Sequence, residues 1–525
     1  MTATHPDVIV VGAGSGGSVT ARRLLDAGLR VLLLEAGGHD RHLFIRAPAA
    51  FPKLFRSRFD WNLQTTPQPH ADGRRFYWPR GRVLGGSSAI NATIYIRGSR
   101  RDYDAWGDGW RWNDVLPAFR SLETYSGGAS DTRGDHGPLP VGPRRASHPL
   151  SEAFVASAAQ AMHIPHAATF NDGTLEGAAL LESNHRNGER YSAFRAFLQP
   201  VLRHPNLTVL TDAQVLELLW DGPRVTGVRF RHAGRTLDAH AGGVALTAGV
   251  IQTPQLLMLS GIGPRRELQR LGIPVRVPLD GVGENLKDHL AVPVIFGSRV
   301  RSLDRVPETQ ALARYLWNRS GPLSSNVAEA SAFTHARSGL DPAHDDPDLQ
   351  FHFGPAYFRD HGAVSEPGNH FSVGPVLVDV HSSGRLTLAS RDPLAPPVID
   401  PNYLSDPRDL ESLVNGVRQA REIAATGPLA ALSTGEVLPG PGTRSDDLAR
   451  HVRQESATLY HPTGTAALGD DGRAVTTRRL AVHGTRGLWV ADASVMPNLI
   501  HANTNATAMM IGARAAGFIT EDLTR

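Results

Sequence analysis

Residues 8–17 read Val8-Ile9-Val10-Val11-Gly12-Ala13-Gly14-Ser15-Gly16-Gly17, and a second apolar run, Arg30-Val31-Leu32-Leu33-Leu34, ends in Glu35. The order predicts a buried strand, a tight glycine turn, a helix over 18–26 stopped by Gly28, and a second strand with an acid at its end. Gly12 permits the sharp turn, Gly14 lets backbone N–H groups approach a pyrophosphate, and Gly17 lets the helix pack close on the strand. The helix start supplies a positive dipole end, and Glu35 stands where a ribose hydroxyl is held. An adenine dinucleotide is therefore expected. The glycines alone would also fit an ordinary strand-to-helix turn; the acid about twenty residues on is what separates the two. Nicotinamide and flavin remain equally open at this point.

Bulk properties narrow the class. With 525 residues the chain exceeds the size at which one core stops growing, so two domains are expected. Net charge is only +3, and of 54 Lys+Arg just Lys53 and Lys287 are lysine. No dense basic run is interleaved with aromatics, which argues against nucleic acid; Arg100-Arg101 and Arg265-Arg266 read as solvated pairs. The absence of cysteine excludes disulfides, thiolate metal sites, cysteine nucleophiles and cofactor attachment through sulfur, and no metal site is assigned. The first strand begins at about residue 7, leaving no room for a leader, and no apolar stretch reaches the roughly eighteen residues of a membrane span, so the cytoplasm is the expected compartment.

Beyond the opening unit, 48–80 is rich in proline, aromatics and arginine without a period, which predicts a covering loop over a bound cofactor. The stretch Gly81-Arg82-Val83-Leu84-Gly85-Gly86-Ser87-Ser88-Ala89-Ile90-Asn91 offers small residues and hydroxyls suited to close approach by a phosphate or a flat ring. Residues 126–142 read as a surface excursion. Runs at 207–210, 215–219 and 225–230 predict a small sheet beside the nucleotide unit. A buried strand at 244–248 leads to Thr253-Pro254, read as a cap and first helical residue. Residues 296–455 mix short strands with helical stretches such as 410–424. The last segment delivers Asp492 from the strand 487–491 and ends in a packed helix from about Thr504. The expected division is 1–295 and 456–525 for the nucleotide domain, and 296–455 for a substrate domain.

With these motifs assembled, the chain resembles the glucose-methanol-choline oxidoreductases over nearly its whole length, and among them the choline dehydrogenases and related bacterial alcohol dehydrogenases. The resemblance rests on 81–91, 249–263, His461-Pro462-Thr463-Gly464-Thr465, Asp492-Ala493-Ser494-Val495-Met496-Pro497 and Asn503-Thr504-Asn505-Ala506. It implies an α/β fold: a discontinuous Rossmann-type FAD-binding domain and an α+β substrate domain with an antiparallel sheet. It also implies FAD, with Gly12, Ala13, Gly14, Ser15, Gly16 and Gly17 at the pyrophosphate, Glu35 and Ala36 at the ribose, and Val215 at adenine. Trp61, Arg82, Gly86, Ser87 and Asn91 are implied at the ribityl and ring end, Asp492 and Ala493 near the pyrophosphate, and Asn503 and Thr504 near the ring.

The implied chemistry is oxidation of a primary alcohol to an aldehyde, with hydride passing to flavin N5, His461 as general base, Asn503 as second catalytic residue and Tyr460 as a substrate-pocket wall. Oxygen or a quinone-like compound is the implied electron acceptor. His352 and His381 are weaker substrate candidates, as are Tyr357 and Glu366 for a quaternary ammonium. Departures from the family pattern are Ile90 where choline oxidases attach flavin through histidine, which implies non-covalent FAD; Ala466-Ala467-Leu468 in place of Cys-Arg-Met; Ser382-Ser383-Gly384 in place of an arginine-bearing turn; and Val250 in place of a small residue. The alternatives are a non-redox flavoprotein of the hydroxynitrile lyase type and, more distantly, a nicotinamide-dependent dehydrogenase.

Overall fold

The computed structural model describes residues 5–524. The runs Val8–Val11 and Val31–Leu34 pair in parallel in a five-stranded sheet, in the order Leu207–Leu210, Val31–Leu34, Val8–Val11, Gly243–Leu246, Leu488–Val490. Val8–Val11 and Gly243–Leu246 are buried throughout, as befits central strands of a parallel sheet covered on both faces. Strands from the beginning, middle and end of the chain thus share one sheet. The helix after the glycine turn, Ser15–Asp26, starts three residues earlier than its apolar spacing predicts, because Ser15, Gly16 and Gly17 carry helical backbone without an apolar face. It packs against the C-terminal helix Asn505–Thr524 at a glycine contact: a Cβ on Gly512 would lie 2.4 Å from Gly16 O.

Two sequence expectations are corrected here. Leu207–Leu210 is not part of the small sheet but the edge strand of the parallel one, bonded to Val31–Leu34; the small antiparallel sheet is Ala213–Asp221, Arg224–His232 and Arg235–His240. Its third strand is almost wholly exposed and carries no apolar alternation, so periodicity missed it. Nor do Thr253 and Pro254 begin a helix. They lie inside Gly249–Leu259. Proline at 254 removes the N–H that would bond Val250 O, and Thr465 Oγ1 donates to that oxygen instead at 2.7 Å, so the helix tolerates it.

The second sheet is antiparallel: Ser433–Leu438, Ile295–Ser298, His370–Leu377, Leu349–Gly354, Ala330–Thr334 and Gly177–Leu180, with Leu290–Ala291 and Ala457–Thr458 attached beside His370–Leu377. Helices Pro149–Met162 and Pro407–Ala424 cover it. Sheet membership departs from the division 1–295, 296–455 and 456–525: Gly177–Leu180 and Leu290–Ala291 come from the first segment, and Ala457–Thr458 from the last, since strand pairing does not respect sequence order. Residues 126–142 are only partly a surface excursion. Arg133 is buried there, holding Glu123 and Glu182 at 2.8 Å each. Among the described residues no helix is long and apolar enough to cross a membrane.

Candidate active site

A single cavity runs from the glycine turn to His461, bordered by both sheets. At one end Gly12 adopts φ +103° and Gly16 lies under Ala491, where a Cβ would meet the carbonyl oxygen at 2.2 Å. A Cβ on Gly14 would meet nothing within 4 Å, because this face of the turn opens on the cavity. The 81–91 motif closes on the same turn: Gly85 N donates to Ala13 O at 2.9 Å, and a Cβ on Gly86 would come within 2.8 Å of Gly14 Cα. Glu35 lines the cavity but also ties the turn, its carboxylate accepting from Ala13 N and Gly37 N at 2.8 Å each. Burial pushes that carboxyl up to about 7, against those two bonds.

Asp492 leaves the last parallel strand buried and accepts four hydrogen bonds, from Gly249 N, Thr253 Oγ1, Ser494 N and Ser494 Oγ, at 2.6–2.9 Å. It fixes the start of helix Gly249–Leu259 at the cavity floor. Asp492→Ala is expected to lower the free energy of chemical unfolding by about 3 kcal/mol, because several buried donors lose their acceptor; an unchanged urea midpoint would contradict this.

At the other end Tyr460 sits at φ +70°, a strained conformation for a bulky residue. Its N–H donates to Thr458 Oγ1 at 2.8 Å and its carbonyl accepts from Arg80 at 2.6 Å, which hold the turn. The turn aims His461 into the cavity, with its backbone N–H on Asp288 Oδ1 at 2.8 Å. Asp288 is buried and also accepts from Thr458 Oγ1 and Tyr403 Oη; burial pushes its carboxyl up to about 6.

The His461 ring lies between two partners. Asn503 Nδ2 is 3.2 Å from Nε2, and His289 Nδ1 is 3.0 Å from Nδ1. An amide N–H only donates, so Nε2 of the neutral ring is the acceptor and the proton sits on Nδ1, directed at His289. Burial, then the neighbouring His289, His352 and Arg80, hold the His461 pKa well below its ordinary value. The result is an uncharged imidazole whose one lone pair, on Nε2, accepts from the Asn503 amide. Asn503 Oδ1 is buried with no hydrogen-bond partner among the described residues.

Of the residues expected at the site, Gly12, Gly14, Ser15, Gly16, Glu35, Ala36, Trp61, Gly86, Ser87, Asn91, Val215, Tyr460, His461, Asp492, Ala493, Asn503 and Thr504 line this cavity. Ala13, Gly17 and Arg82 do not: Ala13 is tied to Glu35, Gly17 is pressed on Gly12 O, and the Arg82 guanidinium stacks 4.7 Å over the Trp61 ring. His352 is on the wall; His381, Tyr357 and Glu366 are not. His381 instead faces Asp379 and Arg337, and Tyr357 packs on His370. Sequence reading missed Asp288 and His289, which lie over 170 positions from His461 with no local pattern to mark them. Phe51, Phe55, Phe358 and His361 were also missed individually, although the aromatic content of 48–80 signalled the first two.

The open face at Gly14, the helix start at Ser15 and the unpartnered Asn503 Oδ1 suit a dinucleotide with a polar ring at its far end. Comparison with known proteins agrees. The GMC oxidoreductase family models match residues 6–291 and 380–512. The chain is 38% identical to the alcohol dehydrogenase [acceptor] of Pseudomonas putida, covering 98% of this chain and 95% of that one. It is also 38% identical to the mitochondrial choline dehydrogenase of Mus musculus, covering 97% and 89%. A formate oxidase structure from Aspergillus oryzae, described for its FAD modification, superposes with a TM-score of 0.92 at 29% identity over 100% of both chains. FAD is the cofactor these matches support, and the chain belongs to the GMC oxidoreductase family.

Proposed function

We propose that this protein oxidises a primary alcohol to an aldehyde, with His461 as general base. The observation that carries the reading is the convergence of His461 Nε2 and Asn503 Nδ2, 3.2 Å apart, on one point of the cavity wall. A hydroxyl placed there displaces the amide from the Nε2 lone pair, donating to Nε2 and accepting from Asn503 Nδ2. Bound FAD supplies the hydride acceptor. His461 removes the hydroxyl proton as the C–H bond breaks, and Asn503 holds the developing alkoxide oxygen. His289 accepts from Nδ1 and so keeps the lone pair on Nε2, the orienting task that a carboxylate performs in other histidine bases.

Glycine turn, Glu35, Val215 and Asp492 would hold the nucleotide half of FAD; Trp61, Gly86, Ser87, Asn91 and Thr504 would border its ring half. Ile90 lines the cavity with no nucleophilic atom, which supports a dissociable cofactor. The outer wall around His461 is aromatic, with Phe51, Phe55, Phe358 and Tyr460, and His361 Nδ1 is 2.7 Å from Tyr460 Oη. Its carboxylates, Asp360 and Glu455, stand at the rim, and Glu455 is spent on Arg359 at 2.7 Å. That wall of ring faces suits an aryl or alkyl carbinol, and ring faces are equally what a quaternary ammonium such as choline uses.

The test is anaerobic bleaching of the flavin absorption by a panel containing benzyl alcohol, 1-octanol and choline, repeated in air and with a quinone. Bleaching by at least one alcohol of the panel is expected, and the place of choline among them shows whether the aromatic faces hold its cation. Protein that binds FAD but is bleached by no alcohol overturns the reading, and acid precipitation that leaves flavin in the pellet overturns the non-covalent cofactor.

A further inference from the structure

His501 lies two residues before Asn503, where the chain passes between the domains. Its backbone N–H is 3.1 Å from both oxygens of Asp102, and its ring Nδ1 is 2.6 Å from Asp102 Oδ1. Asp102 belongs to the short helix Arg100–Asp104 beside the C-terminal helix, and it also completes a capping box with Ser99. On the opposite side His501 Nε2 faces Asp379 Oδ1 at 3.8 Å. Asp379 follows the strand His370–Leu377 of the antiparallel sheet, and its other oxygen holds Arg337 at 2.8 Å and His381 at 3.1 Å. The ring is therefore a bridge from one domain to the other, and an imidazole with a carboxylate at each nitrogen carries a proton on both. Asp346 adds a third acid, one of its carboxylate oxygens lying with an oxygen of Asp102 and a ring nitrogen of His501 inside 4.8 Å of one another.

We propose that His501 is a positioning residue: its imidazolium, bridging Asp102 and Asp379, latches the two domains together across the turn that holds Asn503 against His461. The need for a latch follows from what Asn503 does. Its side chain hydrogen-bonds His461 and no other side chain or backbone group among the described residues, so its aim depends on the backbone of 500–503. That backbone is anchored at His501 through two contacts to one carboxylate, and the ring's charge ties the same point to the sheet on the far side. Burial opposes the proton on His501, but Asp102 and Asp379 more than offset it and the pKa stands well above the ordinary histidine value. The charged or titratable groups facing the ring are Asp102, Asp346, Asp379 and His289, with Arg337, His381, Lys287 and Arg408 around Asp379 and Arg101 on Asp346. Loss of the proton at alkaline pH removes the attraction to Asp379 and leaves the turn held from the Asp102 side alone.

The inference rests on the reading of His461 and Asn503 as the pair that meets the substrate, and its test separates the two. Anaerobic flavin reduction by a bleaching alcohol is followed by rapid mixing against pH, on holoenzyme, for the wild type, Asp379→Asn, His501→Gln and His461→Ala. The wild type is expected to lose rate along an alkaline limb. In Asp379→Asn, remote from the reacting atoms, that limb moves to lower pH by on the order of one unit, because the imidazolium has lost an opposite charge. His501→Gln is expected to be slower at neutral pH by about tenfold to a hundredfold, with no alkaline limb and with its FAD retained. A wild type without the limb, a limb that Asp379→Asn leaves in place, or a His501→Gln enzyme of full rate overturns the latch. Should His501→Gln fail to hold FAD, the limb in Asp379→Asn decides. His461→Ala reducing its flavin at the wild-type rate would condemn the base assignment instead.

Discussion

His461→Ala is expected to keep FAD and the fold while flavin reduction by alcohol slows by about a hundredfold to ten-thousandfold, the usual contribution of a positioned general base. The side chain lies on the cavity wall at the substrate end, so its truncation removes no contact from the glycine turn. The pH dependence has a definite sign. Because burial depresses the His461 pKa, the ring is neutral and competent above that value, and the rate falls as the pH drops through it, well below 6.5. The break in the acid limb should vanish in the alanine variant, leaving a slow residual rate that either ignores pH, with water as base, or rises evenly with hydroxide and shows no plateau. An alanine variant with both the wild-type rate and the wild-type acid limb would remove His461 from the chemistry.

The second large effect belongs to the glycine turn, where two neighbouring glycines should fail differently. A Cβ on Gly17 would lie 2.0 Å from Gly12 O and 2.5 Å from Thr247 Oγ1. Neither atom is free to yield: Thr247 Oγ1 donates to Gly12 O at 2.7 Å, and Gly12 N is bonded to Leu34 O at 2.8 Å inside the parallel sheet. Gly17→Ala is expected to cost about 3 kcal/mol, the upper end of overpacking, and to yield protein without FAD. Gly14→Ala adds its methyl to open space facing the cavity, so the protein should fold normally and lose FAD affinity alone. Thermal melts of the two apoproteins beside FAD titrations check this. Equal melting temperatures for Gly17→Ala and the wild type would contradict the packing argument.

The readable parts of this molecule were those whose physics is local. Val8-Ile9-Val10-Val11 and Val31-Leu32-Leu33-Leu34 declare themselves as strands buried on both faces, since no polar residue interrupts them, and the glycines between them mark a tight turn, a close helix and an open approach at Gly14. Arg235–His240 had no such signature, because it is an exposed edge held by backbone bonds to Arg224–His232. Thr253-Pro254 misled for a related reason. A proline inside a helix is tolerated only if something else satisfies the freed carbonyl, and Thr465 stands 211 residues from Pro254 in the chain.

By itself the sequence determined the nucleotide unit, the motif that marks His461 and the discontinuous origin of the domain, all properties of residues adjacent in the chain. Tertiary structure decided what those residues can do. His461 lies between His289 at one ring nitrogen and Asn503 at the other, and the turn before Asn503 is bonded to Asp102. Each depends on distances between groups remote in sequence. Tautomer, charge and aim are set by neighbours, and neighbours exist only once the chain has folded.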